Sequence, residues 1–308
     1  MKDVIFKGCA TAIVTPFDEN DNINFDEFRK LVEFQMDNEV NGIVVGGTTG
    51  EASTLSKEEK KELIKYCVKV VNKRVPVIAG VGSNNTKTVI ENELYAEKVG
   101  ADGLLVVTPY YNKTTQKGLT EHYKIIAKNT NLPIILYNVP GRTGVDIQPD
   151  TYFELSKMKN IVATKEASGD ISKVLKIRKL CKDNLGIYSG NDDQIVPILS
   201  LGGIGVISVL SNIMPKYTSE MIKKYLNGEV EKASNMQIEV ETLIERLFKE
   251  VNPIPVKEAL NILGFNPGIP RLPLIKCSYE LKEEIKALLK LNLIKNNLES
   301  INNKKIQD

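Results

Sequence analysis

The 308-residue sequence predicts an α/β fold, a (β/α)8 TIM barrel with a C-terminal helical subdomain. Three observations carry this prediction. Eight short apolar runs follow one another along the chain, amphipathic stretches separate them, and the alternation stops near residue 228. The runs are 9–14 (CATAIV), 42–47 (GIVVGG), 75–81 (VPVIAGV), 103–108 (GLLVVT), 133–139 (PIILYNV), 160–165 (NIVATK), 186–190 (GIYSG) and 204–209 (IGVISV). Each is nearly continuous in apolar, mostly β-branched residues, as parallel strands buried on both faces require. Stretches such as 25–39, 56–71 and 86–100 place apolar residues near 3.6-residue spacing with charges on the opposite face, which makes them helices packed on those strands. Right-handed crossovers then close eight units into a ring. From 229 the pattern is helical only: a long stretch over 229–251, two Pro-rich turns at 252–264 and 266–275, and a last helix from 278. The expected division is a catalytic barrel over 1–228 and a helical subdomain over 229–308, whose final polar dozen residues have little to bury and are expected to fray.

Composition removes several function classes. Hydrophobic residues at 42% and charged residues at 26% match a folded globular chain, which excludes disorder. The net charge of +2 lacks the positive excess of a nucleic-acid binder, so no nucleic-acid partner is expected. No uncharged apolar run approaches the roughly 18–20 residues of a membrane span, and the start MKDVIFKGCA has no signal-peptide core; a cytoplasmic protein without a membrane partner is the expectation. One histidine, His122, excludes a zinc site built from two or three imidazoles. A Ser-His-Asp triad would have to use the same residue, which sits in the helical pattern 118–128 and reads as a surface or half-buried helix residue. Cys9, Cys67, Cys181 and Cys277 show no CxxC pairing and read as reduced thiols.

Barrel chemistry gathers at the C-terminal ends of strands, so the residues just after each run are the candidates. The second run is followed by GGTTGE, where Thr48 and Thr49 offer hydroxyls inside a Gly-rich turn; GK[ST] is absent, so it is no P-loop. The fourth is followed by TPYYNK with Tyr110 and Tyr111, aromatics suited to packing or to an interface. The fifth ends in LYNVPGRTG, presenting Tyr137 and then Arg142, one of only six arginines, placed to grip a carboxylate or phosphate or else solvated. The sixth ends in IVATKEASGD. Lys165 closes a β-branched run instead of lying on a charged helix face. An amine taken out of water is disfavoured as ammonium and, once neutral, attacks a carbonyl to form a Schiff base that acidifies the neighbouring C–H without a metal. A structural lysine paired with a barrel carboxylate is the competing reading. The last two runs end in SGNDDQ, with Gly190, and LGGIGVIS, with Ile207; their Gly-rich turns could admit a small anion, which keeps a phosphosugar enzyme in view.

In this order and at these strand ends, GTTGE, TPYYN, YNVPGRTG, ATKEASGD and GVISV resemble the pyruvate-dependent class I aldolases typified by N-acetylneuraminate lyase, and within them the 4-hydroxy-tetrahydrodipicolinate synthase (dihydrodipicolinate synthase) family. The resemblance spans nearly the whole chain except its polar tail. It implies that Lys165 forms the Schiff base with pyruvate and that Tyr137 passes protons beside it. Thr48, Tyr137 and Tyr111 would form a proton relay, with Tyr111 supplied by the partner of a tight dimer paired into a tetramer. It further implies that Thr49, Ile207 and Gly190 line the pyruvate site and that Arg142 receives the carboxylate of L-aspartate 4-semialdehyde. The implied activity is lysine and diaminopimelate biosynthesis with no cofactor and no metal.

One stretch departs from lysine-inhibited members of the family, which tend to carry His and Glu around an interface pocket. Lys57 and Lys60 stand at the histidine positions and Thr88 at the acidic one. Cations repel an incoming lysine and a threonine cannot pair with its ammonium, so weak or absent feedback inhibition is expected. Among rivals, sugar-acid aldolases such as N-acetylneuraminate lyase generally lack an arginine at position 142. A phosphosugar isomerase needs no Schiff-base lysine, and a non-catalytic barrel should have lost Lys165, Tyr137 or the threonines.

Overall fold

The computed structural model describes residues 2–290. All eight apolar runs are strands: β1 (Gly8–Ala12), β2 (Gly42–Val45), β3 (Val77–Gly80), β4 (Gly103–Val107), β5 (Ile134–Asn138), β6 (Ile161–Glu166), β7 (Gly186–Ser189) and β8 (Gly205–Ser208). They form a closed barrel in chain order. Each pairs in parallel with its neighbours, and β8 returns to β1 with Ile207 opposite Ala10. The helices of the barrel are α1 (Phe25–Asp37), α2 (Lys57–Val71), α3 (Thr86–Lys98), α4 (Gln116–Lys128), α5 (Pro140–Thr143), α6 (Pro149–Leu155), α7 (Ile171–Cys181), α8 (Ile195–Ser200) and α9 (Pro215–Leu226). Local chemistry sets their starts. Asn24 accepts the N–H of Glu27 ahead of α1, and Ser56 with Glu59 makes a reciprocal capping box ahead of α2.

Two layers of core follow. Inside the barrel, Phe6, Val44, Ile78, Leu105, Ile135, Tyr188 and Ile207 fill the lumen. Outside it, the strands' other faces pack with the apolar stripes of the helices. The lumen is closed at its N-terminal end by Phe6, stacked on Tyr188 with centroids 4.3 Å apart, while the Tyr188 hydroxyl donates to the Phe6 carbonyl at 2.6 Å. At the opposite end, where the strands finish, a cavity opens.

Beyond α9 lie α10 (Val230–Glu239), α11 (Glu241–Phe248), α12 (Ile254–Ile262) and α13 (Tyr279–Leu289). The single helix expected over 229–251 breaks at Val240. The Tyr217 hydroxyl supplies the reason: it donates to the Met236 carbonyl and lies 2.9 Å from Glu239 Oε2, taking the acceptor that the Val240 N–H would use in a continuous helix. Leu243, Leu247, Val256, Leu260 and Ile285 from these helices join the outer core of the barrel. The fraying expected for the terminal polar residues falls outside the described residues.

His122 differs from its expected placement. It is on α4 but buried, with Nδ1 2.9 Å from Thr86 Oγ1 at the start of α3, and burial depresses its pKa to about 4. The packing of α3 on α4 covers it, and it lies away from the strand ends. Cys9, Cys67, Cys181 and Cys277 are free thiols.

Candidate active site

Strand register builds the centre of the site. Tyr137 on β5 lies opposite Lys165 on β6, which lies opposite Tyr188 on β7. Successive residues of a strand face opposite sides, so these three share the lumen face while Asn138 and Glu166 turn outward. The outward pair is tightly held. Glu166 accepts from Asn138 Nδ2 at 3.0 Å, from the Tyr152 hydroxyl at 2.8 Å and from the Ser168 N–H at 2.9 Å. Those bonds fix the ends of β5 and β6, and with them the inward residues.

Lys165 is 5% exposed and forms no ion pair with any described residue. Its Nζ lies 4.5 Å from the centroid of the Tyr137 ring. The two lumen tyrosines are not equivalent. Tyr188 is committed to the Phe6 carbonyl at the floor, and burial pushes its phenol up, whereas Tyr137 lines the open end. Gly190 supplies room: a Cβ there would lie 3.1 Å from Lys165 Cε and 2.6 Å from Ala167 Cβ. Its N–H is spent on the Glu166 carbonyl at 2.8 Å. Asp192, just beyond, is buried and accepts the Val209 and Leu210 N–H groups at 2.9 Å each; burial pushes its pKa up, and these bonds and the charge of Lys165 oppose that push.

Above this centre opens a cavity of about 460 Å³ whose wall includes Gly46, Gly47 and Thr48 after β2, Tyr110 after β4, and Tyr137, Val139, Arg142 and Thr143 at the end of β5. A side lobe is lined by Lys57, Lys60, Ser83 and Thr88. The lining contains three cations and no carboxylate, so the cavity suits anions. Lys57 is engaged with Glu91 at 2.5 Å; Lys60 forms no ion pair with any described residue, and burial lowers its pKa to about 8.

Most of the residues expected from the sequence therefore converge. Thr48, Tyr137 and Arg142 share the cavity wall, Lys165 stands beside Tyr137, and Ile207 is buried in the same lumen. Thr49 is buried beneath the β2 turn, its Oγ1 accepting from Asn252 Nδ2 at 3.0 Å. Tyr111 stands apart. It has a left-handed backbone, φ 70°, and its side chain is 91% exposed, so within one chain it does not reach the centre. Sequence reasoning missed Asn252, Glu166 and the Glu51–Lys257 ion pair beneath the β2 turn. The segment NPIPVKEAL carries two of them and read only as part of a Pro-rich turn, whereas most of it is the helix α12. Among the described residues no three His, Cys, Asp or Glu side chains converge as metal ligands.

A closed barrel with a buried strand-end amine that has no ion pair among the described residues, beside a phenol that lines an anion-accepting mouth, defines a class I aldolase-type lyase. The Dihydrodipicolinate synthetase family profile matches residues 5–292, and the chain belongs to that family. It is 59% identical over 278 residues to 4-hydroxy-tetrahydrodipicolinate synthase 1 of Clostridium acetobutylicum, covering 90% of this chain and 94% of the relative. To the 4-hydroxy-tetrahydrodipicolinate synthase of Clostridium perfringens it is 54% identical over 294 residues, covering 96% and 99%. The crystal structure of dihydrodipicolinate synthase from Thermotoga maritima superposes with a TM-score of 0.91 at 42% identity, covering 93% of this chain and 98% of the other.

Proposed function

We infer that the chain condenses pyruvate with L-aspartate 4-semialdehyde to give 4-hydroxy-tetrahydrodipicolinate and water, and that Lys165 is the nucleophile. The observation that carries this is the strand-end amine, buried beside Tyr137 and in no ion pair with any described residue. Its attack on the pyruvate carbonyl forms an imine and releases water. Loss of a C3 proton gives the enamine, whose carbon adds to the aldehyde of the second substrate. The amine of that substrate then displaces Lys165 as the ring closes. Tyr137 is assigned to move protons at the imine, with Thr48 on the same cavity wall. Thr49 and Ile207 are assigned to pyruvate, Gly190 to the space that Lys165 occupies, and Arg142 to the semialdehyde carboxylate.

Several finer points belong to the same proposal. The exposed Tyr111 completes the relay from the partner of a tight dimer, and dimers pair into a tetramer. The division into a 1–228 barrel and a helical subdomain from 229 follows the change of pattern after α9. No helix among the described residues is long and apolar enough to cross a membrane. Four free thiols, three of them buried, fit the reducing cytoplasm. L-Lysine is a weak inhibitor or none.

The test is to incubate the protein with pyruvate and borohydride and to measure its mass. A reduced pyruvate adduct absent from Lys165→Ala is expected; no adduct on the unaltered protein overturns the assignment. Arg142→Ala should keep the adduct and weaken use of the semialdehyde, and equal loss of both would remove its assigned role.

A further inference from the structure

Asn252 lies between α11 and α12, far in sequence from every strand end, yet it joins two of the loops around the mouth. It is buried, 5% exposed. Its Nδ2 donates to Thr49 Oγ1 at 3.0 Å, and its backbone carbonyl accepts from Arg142 Nη2 at 3.3 Å. One residue thus touches both side chains assigned to substrate carboxylates. The segment that carries it is anchored behind the β2 turn. Lys257 pairs with Glu51 at 2.6 Å, both side chains 1% exposed, and the Arg271 N–H donates to Glu51 Oε2 at 2.9 Å.

The direction of the Thr49 bond has a chemical consequence. A threonine hydroxyl owns one hydrogen and accepts through its oxygen. When Asn252 donates to that oxygen, the Thr49 hydrogen is not used on Asn252 and is free to donate elsewhere. A donor next to a bound carboxylate makes a charge-assisted bond, stronger than a neutral one. An acceptor at position 252 would draw the same hydrogen away.

We propose that Asn252 is a positioning residue: it polarises and orients the Thr49 hydroxyl as a donor to the pyruvate carboxylate, while its carbonyl holds Arg142 over the mouth. The proposal rests on the assignment of Thr49 to pyruvate, and it acts through Thr49, not through contact with the reacting atoms.

The experiment is a double-mutant cycle in the full-length protein, with Asn252→Ala, Thr49→Val and the double variant, reading KM for pyruvate separately from kcat. Loss of one bond to a charged group predicts a rise of about tenfold in the pyruvate KM of Asn252→Ala, with kcat changed by less than about threefold. The double variant should be no worse than Thr49→Val alone. Asn252→Asp, which keeps the shape but can only accept, should raise the KM at least as much as alanine does. The proposal is overturned by an unchanged pyruvate KM in Asn252→Ala, by multiplying effects in the double variant, or by a near-normal KM in Asn252→Asp. The borohydride adduct at saturating pyruvate keeps the two readings apart. Its absence from the unaltered protein removes Lys165 as nucleophile, whereas its presence with a failed cycle removes only the role of Asn252.

Discussion

Among the described residues, two buried lysines lie against aromatic rings, and their surroundings are opposite. Lys165 Nζ lies 4.5 Å from the Tyr137 ring centroid in the lumen, and Lys257 Nζ lies 4.3 Å from that of Phe17 beneath the β2 turn. Lys257 has Glu51 at 2.6 Å and shares Phe17 with Arg271, whose guanidinium is 4.2 Å from the same ring. Burial lowers the pKa of Lys257 to about 8, and the Glu51 carboxylate opposes that shift. Lys165 has no ion pair among the described residues and lies beside Tyr137, which lines the cavity. The difference teaches that burial alone does not mark a nucleophile. An amine neutralised by a carboxylate is a bolt between segments, and one left without such a partner at a strand end is free to react.

The largest expected effect breaks or upholds that contrast directly. Lys165→Ala should lower turnover by at least about 10³-fold and abolish the pyruvate adduct, as expected when a covalent nucleophile is removed. Retention of the adduct would show that another amine carries it. Next comes the other lysine. Glu51→Gln leaves Lys257 as an uncompensated buried charge and should cost about 3–5 kcal/mol of unfolding free energy. Chemical denaturation measures this, and the folded fraction should still form the adduct. A variant as stable as the parent would show that the pair is not buried in solution.

How much of this was legible in the sequence depends on where the decisive contact lies. The eight strands were legible because each is buried on both faces and leaves an unbroken apolar run. Lys165 was legible for the same reason, as the charge that ends such a run. Lys257 was not: NPIPVKEAL reads as a Pro-rich turn in which nothing singles out the lysine, and only the fold brings Glu51 to it. Asn252 was hidden in the same way, by a partner on the second strand's turn. The break at Val240 depends on a tyrosine from α9, and the burial of His122 on its packing against Thr86 of α3. Local pattern reports what a residue needs from its own segment, and these residues are defined by other segments.

His122 gives a smaller and purely structural effect. Its folded pKa of about 4 lies below the ordinary value of 6.5. Above 6.5 it is neutral in both states and costs nothing. As the pH falls from 6.5 to 4 the unfolded chain takes up a proton that the folded chain refuses, so stability is lost, by about 3 kcal/mol in full. His122→Leu should flatten that part of the stability profile relative to the parent while leaving the borohydride adduct unchanged. Identical pH slopes for the two proteins would place His122 in contact with water.

The smallest expected effect is the response to L-lysine, and the cavity wall explains why it should be close to none. A bound lysine needs a carboxylate for its ammonium, and the lining contains none. Thr88 offers only a hydroxyl. Lys57 is already neutralised by Glu91, so the repulsion comes chiefly from Lys60, whose pKa of about 8 leaves it mostly protonated at neutral pH. Turnover at pH 7 should therefore be unchanged by millimolar L-lysine, and strong inhibition there would sink the idea. The same reasoning sharpens the test. Above pH 8 Lys60 loses its charge and the repulsion with it, yet the missing carboxylate is still missing. If inhibition emerges only in that range, charge on Lys60 is the main barrier; if the enzyme stays indifferent at pH 9, the absence of an acidic partner at Thr88 is what matters, and Thr88→Glu should then be required before lysine has any effect.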